Sequence, residues 1–165
     1  MKYCYYDAPF GRMLITVQDG KITGIWIKEE ACRENVLKYA EQDDTDEVLK
    51  LTCKWFDVYF AGARPNINML PLAPSGTSFQ KRVWEILSEI PYGEITTYGN
   101  IAAKIAEERG VSKFSAQAVG GALGRNPISI IIPCHRVIGA DGSLKGYASG
   151  LEIKKFLLEL EGVKI

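Results

Sequence analysis

Between Pro65 and Pro74 the chain carries three prolines (Pro65, Pro71, Pro74) and shows no helical or strand period. Proline fixes φ and donates no backbone N–H, so neither a helix nor a central strand runs through such a stretch. The segment reads as an extended linker. It divides the chain into two parts, 1–73 and 74–165, each of which must fold on its own local signals. A length of 165 residues accommodates two small domains.

The first part is rich in strand signals. Residues 3–6 form a short strand candidate, and Leu14 to Val17, Asp19-Gly20 and Ile22 to Ile27 read as a hairpin with its turn pair. Ile25 and Ile27 beside Trp26 imply that both faces of that strand are partly covered. Glu30 to Ala40 is a helix candidate. After the acidic loop Asp43 to Asp46, Asp46 is placed to cap a helix with Val48, Leu51, Thr52, Trp55 and Tyr59 on one face and Gly62 as its stop.

The second part is helical. Thr77 and Gln80 have the spacing of a capping box, followed by Phe79, Val83, Ile86, Leu87 and Ile90 on one face, and Pro91-Tyr92-Gly93 ends that helix. A shorter helix runs from Tyr98 to Glu108 and stops at Gly110; another runs from Ser115 to Leu123, with Ala116, Gly120 and Ala122 permitting close approach. Two short helices about a turn resemble a helix-turn-helix, although small helices in ordinary all-α packing look the same and are the commoner case. Ser149 with Glu152 suggests a capped final helix carrying Leu151, Phe156, Leu157, Leu158 and Leu160. The fold class is therefore α+β: a small N-terminal α/β domain with an antiparallel sheet, then a mostly helical domain.

Charge excludes a strongly basic nucleic-acid binder. The formal net charge is zero, divided as 9 basic and 11 acidic residues before Thr77 and 11 basic and 9 acidic from there on. Nucleic-acid contact would have to come from a local patch. The four cysteines, Cys4, Cys32, Cys53 and Cys134, show no metal-ligand spacing, and there is one histidine, so no metal site is expected. The start has no extended apolar core and no apolar run approaches membrane-spanning length, which predicts a reduced, cytoplasmic protein without membrane contact.

The chemistry concentrates at Pro133-Cys134-His135-Arg136, between the apolar runs Ile128 to Ile132 and Val137 to Gly139. A buried structural cysteine is one reading. The cationic sequel favours the other, an activated nucleophile, because His135 and Arg136 would cost several kcal/mol to bury unpaired. Adjacent residues need not face each other, so His135 would reach the sulfur through the turn or a water. No other imidazole is available as its base. Glu161 reads either as a solvated carboxylate in a last helical turn or as a paired one, since a negative charge is poorly placed there. Asn126 before Pro127 reads as a turn former.

The run Asn126 to Gly139 resembles the active-site signature of the O6-alkylguanine-DNA alkyltransferase family. The likeness extends through Gly76-Thr77-Ser78-Phe79-Gln80, Val83-Trp84, Ile90-Pro91-Tyr92-Gly93-Glu94, Thr97-Tyr98, Ala118 to Leu123, Gly146-Tyr147-Ala148 and Leu157 to Gly162. A weaker likeness reaches Trp55-Phe56, Phe60-Ala61-Gly62 and Leu70-Pro71-Leu72. The resemblance implies a ribonuclease-H-like first domain and a DNA-binding alkyltransferase domain containing a helix-turn-helix. Some relatives hold a structural zinc in the first domain, but the spacings here do not supply its ligands.

What the resemblance implies for the reaction is direct-reversal DNA repair. An O6-alkylated guanine is flipped out of double-stranded DNA and its alkyl group passes irreversibly to Cys134, with O4-alkylthymine as a second candidate substrate. His135, oriented by Glu161, takes the thiol proton through water; Asn126 fastens the active-site turn; Tyr147 stacks on guanine and assists its departure. Val137, the backbone about Ala148 and Ser149, and Tyr98 shape the pocket and its DNA approach. Ala116, Gln117, Gly120, Lys113 and Arg125 would meet the duplex. No cofactor is implied, the product thioether is not reopened, and the protein acts as a monomer.

Three other functions would make different demands on these residues. A non-repairing lesion sensor of similar fold would lack the reactive cysteine. A cysteine hydrolase would need a separate histidine partner and an oxyanion loop. A structural DNA-binding module would need no chemistry at Cys134. The chain departs from the family at Gln117, where an inserted Arg is usual, and the stretch Lys104 to Phe114 is longer than in many relatives. Gln offers donors and an acceptor to an orphaned base but carries no charge.

Overall fold

The computed structural model describes residues 1–28 and 30–165, with the side chains of 30–33 outside the description; the thiol of Cys32 falls among these. The chain forms two compact units, residues 1–75 with 127–131, and residues 76–126 with 132–165.

In the first unit, β1 (Lys2–Ala8), β2 (Gly11–Gln18) and β3 (Lys21–Ile27) form an antiparallel meander, and the short β4 (Glu41–Gln42) lies parallel to β1, in the order β3-β2-β1-β4. Asp19 and Gly20 both adopt positive φ, 52° and 72°, which matches the turn type that closes a two-residue hairpin. Between β3 and β4 runs α1 (Glu30–Tyr39).

The open edge of β3 is covered twice. Ile22 donates to Pro71 O at 2.7 Å and accepts from Ala73 N at 2.8 Å, and Ile25 donates to Pro127 O at 2.9 Å. The proline-bearing stretch is therefore extended, as its composition requires, but it is docked on the sheet and includes one 3-10 turn, Ile67–Met69. Covering an edge in this way removes a row of unpaired backbone groups.

Helix α2 (Glu47–Phe60) packs on the sheet. The Asp46 carboxylate accepts from Val48 N and Leu49 N, satisfying two orphan donors of the first turn. Its buried face is Leu49, Thr52, Trp55, Phe56 and Tyr59. Val48 and Leu51 were expected on that face and are only half-buried; the large ring of Phe56, stacked near Tyr6 and Phe60, rotates the apolar stripe toward itself.

The second unit is helical. α3 (Ser78–Ser88) opens with the reciprocal capping box of Thr77 and Gln80 and buries Val83, Trp84, Ile86 and Leu87. Trp84 Nε1 donates to Ala122 O at 2.9 Å, tying α3 to α5 (Ala116–Gly124). Between them β5 (Thr96–Thr97) leads into α4 (Tyr98–Arg109), which ends at Gly110 with φ 67°, a conformation glycine reaches without a Cβ penalty. α4 runs through Arg109 to the expected stop at Gly110, so the connection before α5 is residues 110–115 and the first half of the stretch Lys104 to Phe114 is helix rather than linker. β6 (Val137–Ile138) pairs in parallel with β5, and α6 (Leu151–Leu160) closes the chain.

Ser149 does not cap α6. Gly150 is the N-cap, at φ 103° and without a side-chain bond. Only glycine enters the helix from that backbone angle at low cost, so the chain turns one residue later than a Ser cap would allow.

Among the described residues no helix is long and apolar enough to cross a membrane, and no three His, Cys, Asp or Glu side chains gather as a metal-binding group.

Candidate active site

Each unit has a tight turn of its own in the stretch before Cys134. In the first unit Ile131 N donates to Ser129 O at 2.9 Å around Ile130, whose φ is 72°. This is a γ-turn of the strained, positive-φ kind, rare for a β-branched residue. A left-handed residue costs ~1–2 kcal/mol, while burying an Ile side chain returns ~1.5–3 kcal/mol. Ile130 is fully buried, so packing holds the turn.

In the second unit Cys134 N donates to Ile132 O at 2.8 Å around Pro133 at φ −83°, ψ 64°, the relaxed form of the same turn. The Asn126 amide donates to that same Ile132 carbonyl at 2.9 Å. The proline selects the turn and the asparagine pins it. Cys134 then opens a single 3-10 turn, Cys134–Arg136.

That turn sends His135 and Arg136 toward one carboxylate. His135 Nε2 lies 2.7 Å from Glu161 Oε1; Arg136 donates Nε to Oε2 at 2.8 Å and Nη2 to Oε1 at 2.9 Å. Arg136 Nη1 also reaches Ile90 O at 2.7 Å, and Gly93 N donates to Glu161 at 3.3 Å. Glu161 sits at the C-cap of α6 with its side chain enclosed. It is a buried, paired carboxylate. Burial alone would raise its pKa, but bonds from His135 and Arg136 outweigh that and hold it well below the usual range. Arg136 thus completes a buried cluster of two bases and one acid.

The tautomer follows. An ionised Glu161 only accepts, so His135 carries its proton on Nε2 and leaves Nδ1 as a lone pair. Burial lowers the His135 pKa more than Glu161 raises it, keeping the imidazole neutral. Nδ1 is buried and has no hydrogen-bond partner among the described protein groups. An unpaired, buried, neutral imidazole nitrogen is a general base without a proton.

The Cys134 thiol is pushed up by burial, and the Asn126 amide and the Lys154 charge pull it part of the way back. The resting sulfur is therefore protonated. Lys154 is fully buried on α6, donating to Val137 O and Lys145 O, both at 2.6 Å. Burial pushes its pKa down to about 8, and a thiolate at Cys134, once formed, opposes this. The two carbonyls favour the ammonium further, leaving a fixed cation in the neighbourhood of the sulfur.

Tyr147 is half-buried, yet its hydroxyl is enclosed without a partner among the described residues, and its pKa is well above the ordinary value through burial. It remains a neutral O–H donor. Tyr98 commits its hydroxyl to Lys145 O at 3.0 Å. Val137 is fully buried, Ser149 is half-buried and Ala148 is exposed. Of the predicted DNA-facing residues, Lys113, Ala116, Gln117 and Arg125 are exposed, whereas Gly120 is half-buried and faces Tyr98, whose ring would lie 3.8 Å from an added Cβ.

Comparison with known proteins gives this arrangement a context. Residues 78–163 match the family model described as 6-O-methylguanine DNA methyltransferase, DNA binding domain, and residues 1–74 match its ribonuclease-like domain. The chain belongs to the 6-O-methylguanine DNA methyltransferase family. A methylated-DNA–protein-cysteine methyltransferase of Haemophilus influenzae is 44% identical over 98% of this chain and 86% of its own length. One from Methanosarcina acetivorans is 43% identical over 98% and 99%. The crystal structure of Mycobacterium tuberculosis OGT in complex with DNA superposes with a TM-score of 0.85 at 38% identity, covering 98% of this chain and 92% of that one.

Two residues of this cluster escaped sequence reading, Arg136 as a ligand of Glu161 and Lys154. A signal for the second was present. Lys154, Leu157, Leu158 and Glu161 follow the i, i+3, i+4, i+7 spacing of one helical stripe, so the lysine and the glutamate share the apolar face.

Proposed function

We propose that this protein repairs O6-alkylguanine in double-stranded DNA by transferring the alkyl group irreversibly to Cys134. The observation that carries the reading is the neutral His135, held through Nε2 by the Glu161 carboxylate with Nδ1 unpaired, one residue from a buried, protonated thiol. The base of a flipped nucleotide enters beside Tyr147. His135 takes the thiol proton, through water, as the sulfur attacks the alkyl carbon in line. The carbon–oxygen bond breaks toward guanine O6, and the Tyr147 hydroxyl donates to the departing base. Lys154 stabilises the thiolate as it forms, so the cost of charging a buried sulfur is met only during reaction.

The product is a thioether, which no group in the site can reopen. The protein is consumed by its reaction and requires no cofactor. In this reading α4 and α5 act as a helix-turn-helix, with Ala116 and Gln117 of α5 and the nearby Lys113 and Arg125 meeting the duplex. The first unit takes the ribonuclease-H-like form that the family likeness implies, and the protein works as a cytoplasmic monomer. Residues 74–165 carry the chemistry. Titrating O6-methylguanine duplex with protein tests this: repair should end at one methyl group per chain, and Cys134→Ala should bind the duplex but remove none. Continued turnover, or methyl removal by Cys134→Ala, would contradict it.

A further inference from the structure

Two more thiols meet outside the reaction centre. Cys4 on β1 and Cys53 on α2 lie 49 positions apart in the chain, yet their Sγ atoms are 3.7 Å apart. Both belong to the first unit. Cys4 is buried and Cys53 is half-buried. A disulfide spans about 2.05 Å, so closure needs an approach of about 1.7 Å, within reach of small side-chain rotations.

The pair is chemically unequal. The shared hydrogen bond with Cys4 draws the Cys53 pKa below the ordinary thiol value, against burial and the carboxylates of Asp57 and Asp44. Cys4 is pushed up, first by its bond to Cys53 and then by burial. Cys53 is the less buried of the two, and the more buried Cys4 stands behind it in resolving position. Asp44 and Asp57 disfavour anionic oxidants at Cys53.

We propose that Cys4 and Cys53 form an oxidisable dithiol site, which a small uncharged peroxide converts to an intramolecular disulfide linking β1 to α2. The Cys53 thiolate attacks one peroxide oxygen, the O–O bond breaks, and the leaving oxygen departs as water after taking a proton. Cys53 is then a sulfenic acid. The Cys4 sulfur attacks the Cys53 sulfur, the S–O bond breaks, and a second water leaves with the Cys4 proton. Two thiols are oxidised and one peroxide is reduced to two waters. Cys134, whose thiol is pushed up by burial, reacts more slowly with the same reagent.

The test treats the full chain with hydrogen peroxide, denatures it, alkylates free thiols with iodoacetamide and maps the peptides. The expected product has lost about 2 Da before alkylation and contains a Cys4–Cys53 cross-linked peptide that dithiothreitol reverses. Cys32 and Cys134 carry the alkyl label. Cys53→Ser and Cys4→Ala should each abolish the cross-link, and Cys32→Ser should retain it. Glutathione disulfide, an anion, should form it several-fold more slowly at equal concentration. The oxidised chain should unfold several degrees higher, reversibly with reductant. A cross-link through Cys32 or between molecules would overturn the proposal, as would oxidation at Cys134 while Cys4 and Cys53 remain alkylatable. Equal rates with both oxidants would overturn the choice of a neutral peroxide.

Discussion

At the scale of single residues, a shared carboxylate organises the site. Glu161 orients one base and neutralises a buried cation, so changing it removes two functions together. Glu161→Gln should slow methyl transfer roughly 10- to 100-fold, the range for loss of an orienting partner. It should also destabilise the protein by ~3–5 kcal/mol, because Arg136 loses its counter-ion in a buried setting. Single-turnover kinetics and denaturant unfolding read the two effects separately; an unchanged rate would return Glu161 to a structural role. The pH dependence has a definite sign. Both His135 and Glu161 have folded pKa values below their ordinary values of 6.5 and 4.5. Their contribution is present in full above pH 6.5 and is lost as pH falls through the folded values. Glu161→Gln should abolish the part of the loss below pH 4.5, which belongs to the carboxylate, and leave the part that begins at pH 6.5, which belongs to His135. Lys154 supplies a further prediction. Lys154→Met removes the cation near Cys134 and leaves two carbonyls without their donor. Transfer should slow by about tenfold for each pKa unit that the thiol rises, and the midpoint of the pH–rate profile should move to higher pH. An unmoved midpoint would show that Lys154 only packs.

At the scale of elements, local chemistry decided what the sequence made legible. The hairpin at Asp19-Gly20, the Asp46 cap, the Thr77–Gln80 box and the Gly110 stop were all readable, because each is fixed by a few neighbouring atoms. The start of α6 was not, since Ser149 and Glu152 mimic a capping pattern while Gly150 supplies the only low-cost backbone angle. The face of α2 was misjudged by one position because the ring cluster about Phe56 is a tertiary effect. The docking of Leu72 and Ile128 on β3 was likewise invisible, being a pairing between distant segments. In the site, Cys134 and His135 stood out from residue chemistry, whereas the roles of Glu161 and Tyr147 came from family likeness. Arg136 was hidden because nothing local showed which carboxylate it meets. Helix α5 carries its own prediction. Gln117 is exposed near the helix start and lacks the charge of the Arg usual there. Gln117→Arg should speed transfer from duplex DNA while leaving reaction with free O6-methylguanine base nearly unchanged. Equal effects on both substrates, or none on duplex, would remove Gln117 from the flipping step.

At the scale of the whole molecule, the division of labour follows composition. The sheet unit covers its own exposed edge and buries an aromatic cluster, and the helical unit holds every residue of the Cys134 cluster described above. With no net charge, affinity for DNA must come from a local surface rather than from a general attraction. The reaction also leaves a permanent record in the chain, because a thioether is neither hydrolysed nor reduced under physiological conditions. The measurement that bears most directly on the account is intact-mass analysis after incubation with duplex containing O6-methylguanine. The account predicts a single gain of about 14 Da, the mass of one methyl group replacing the thiol hydrogen, which does not increase with further substrate. Peptide mapping should place it on Cys134. No gain in mass, or a methyl group on Cys4, Cys32 or Cys53 instead, would contradict it.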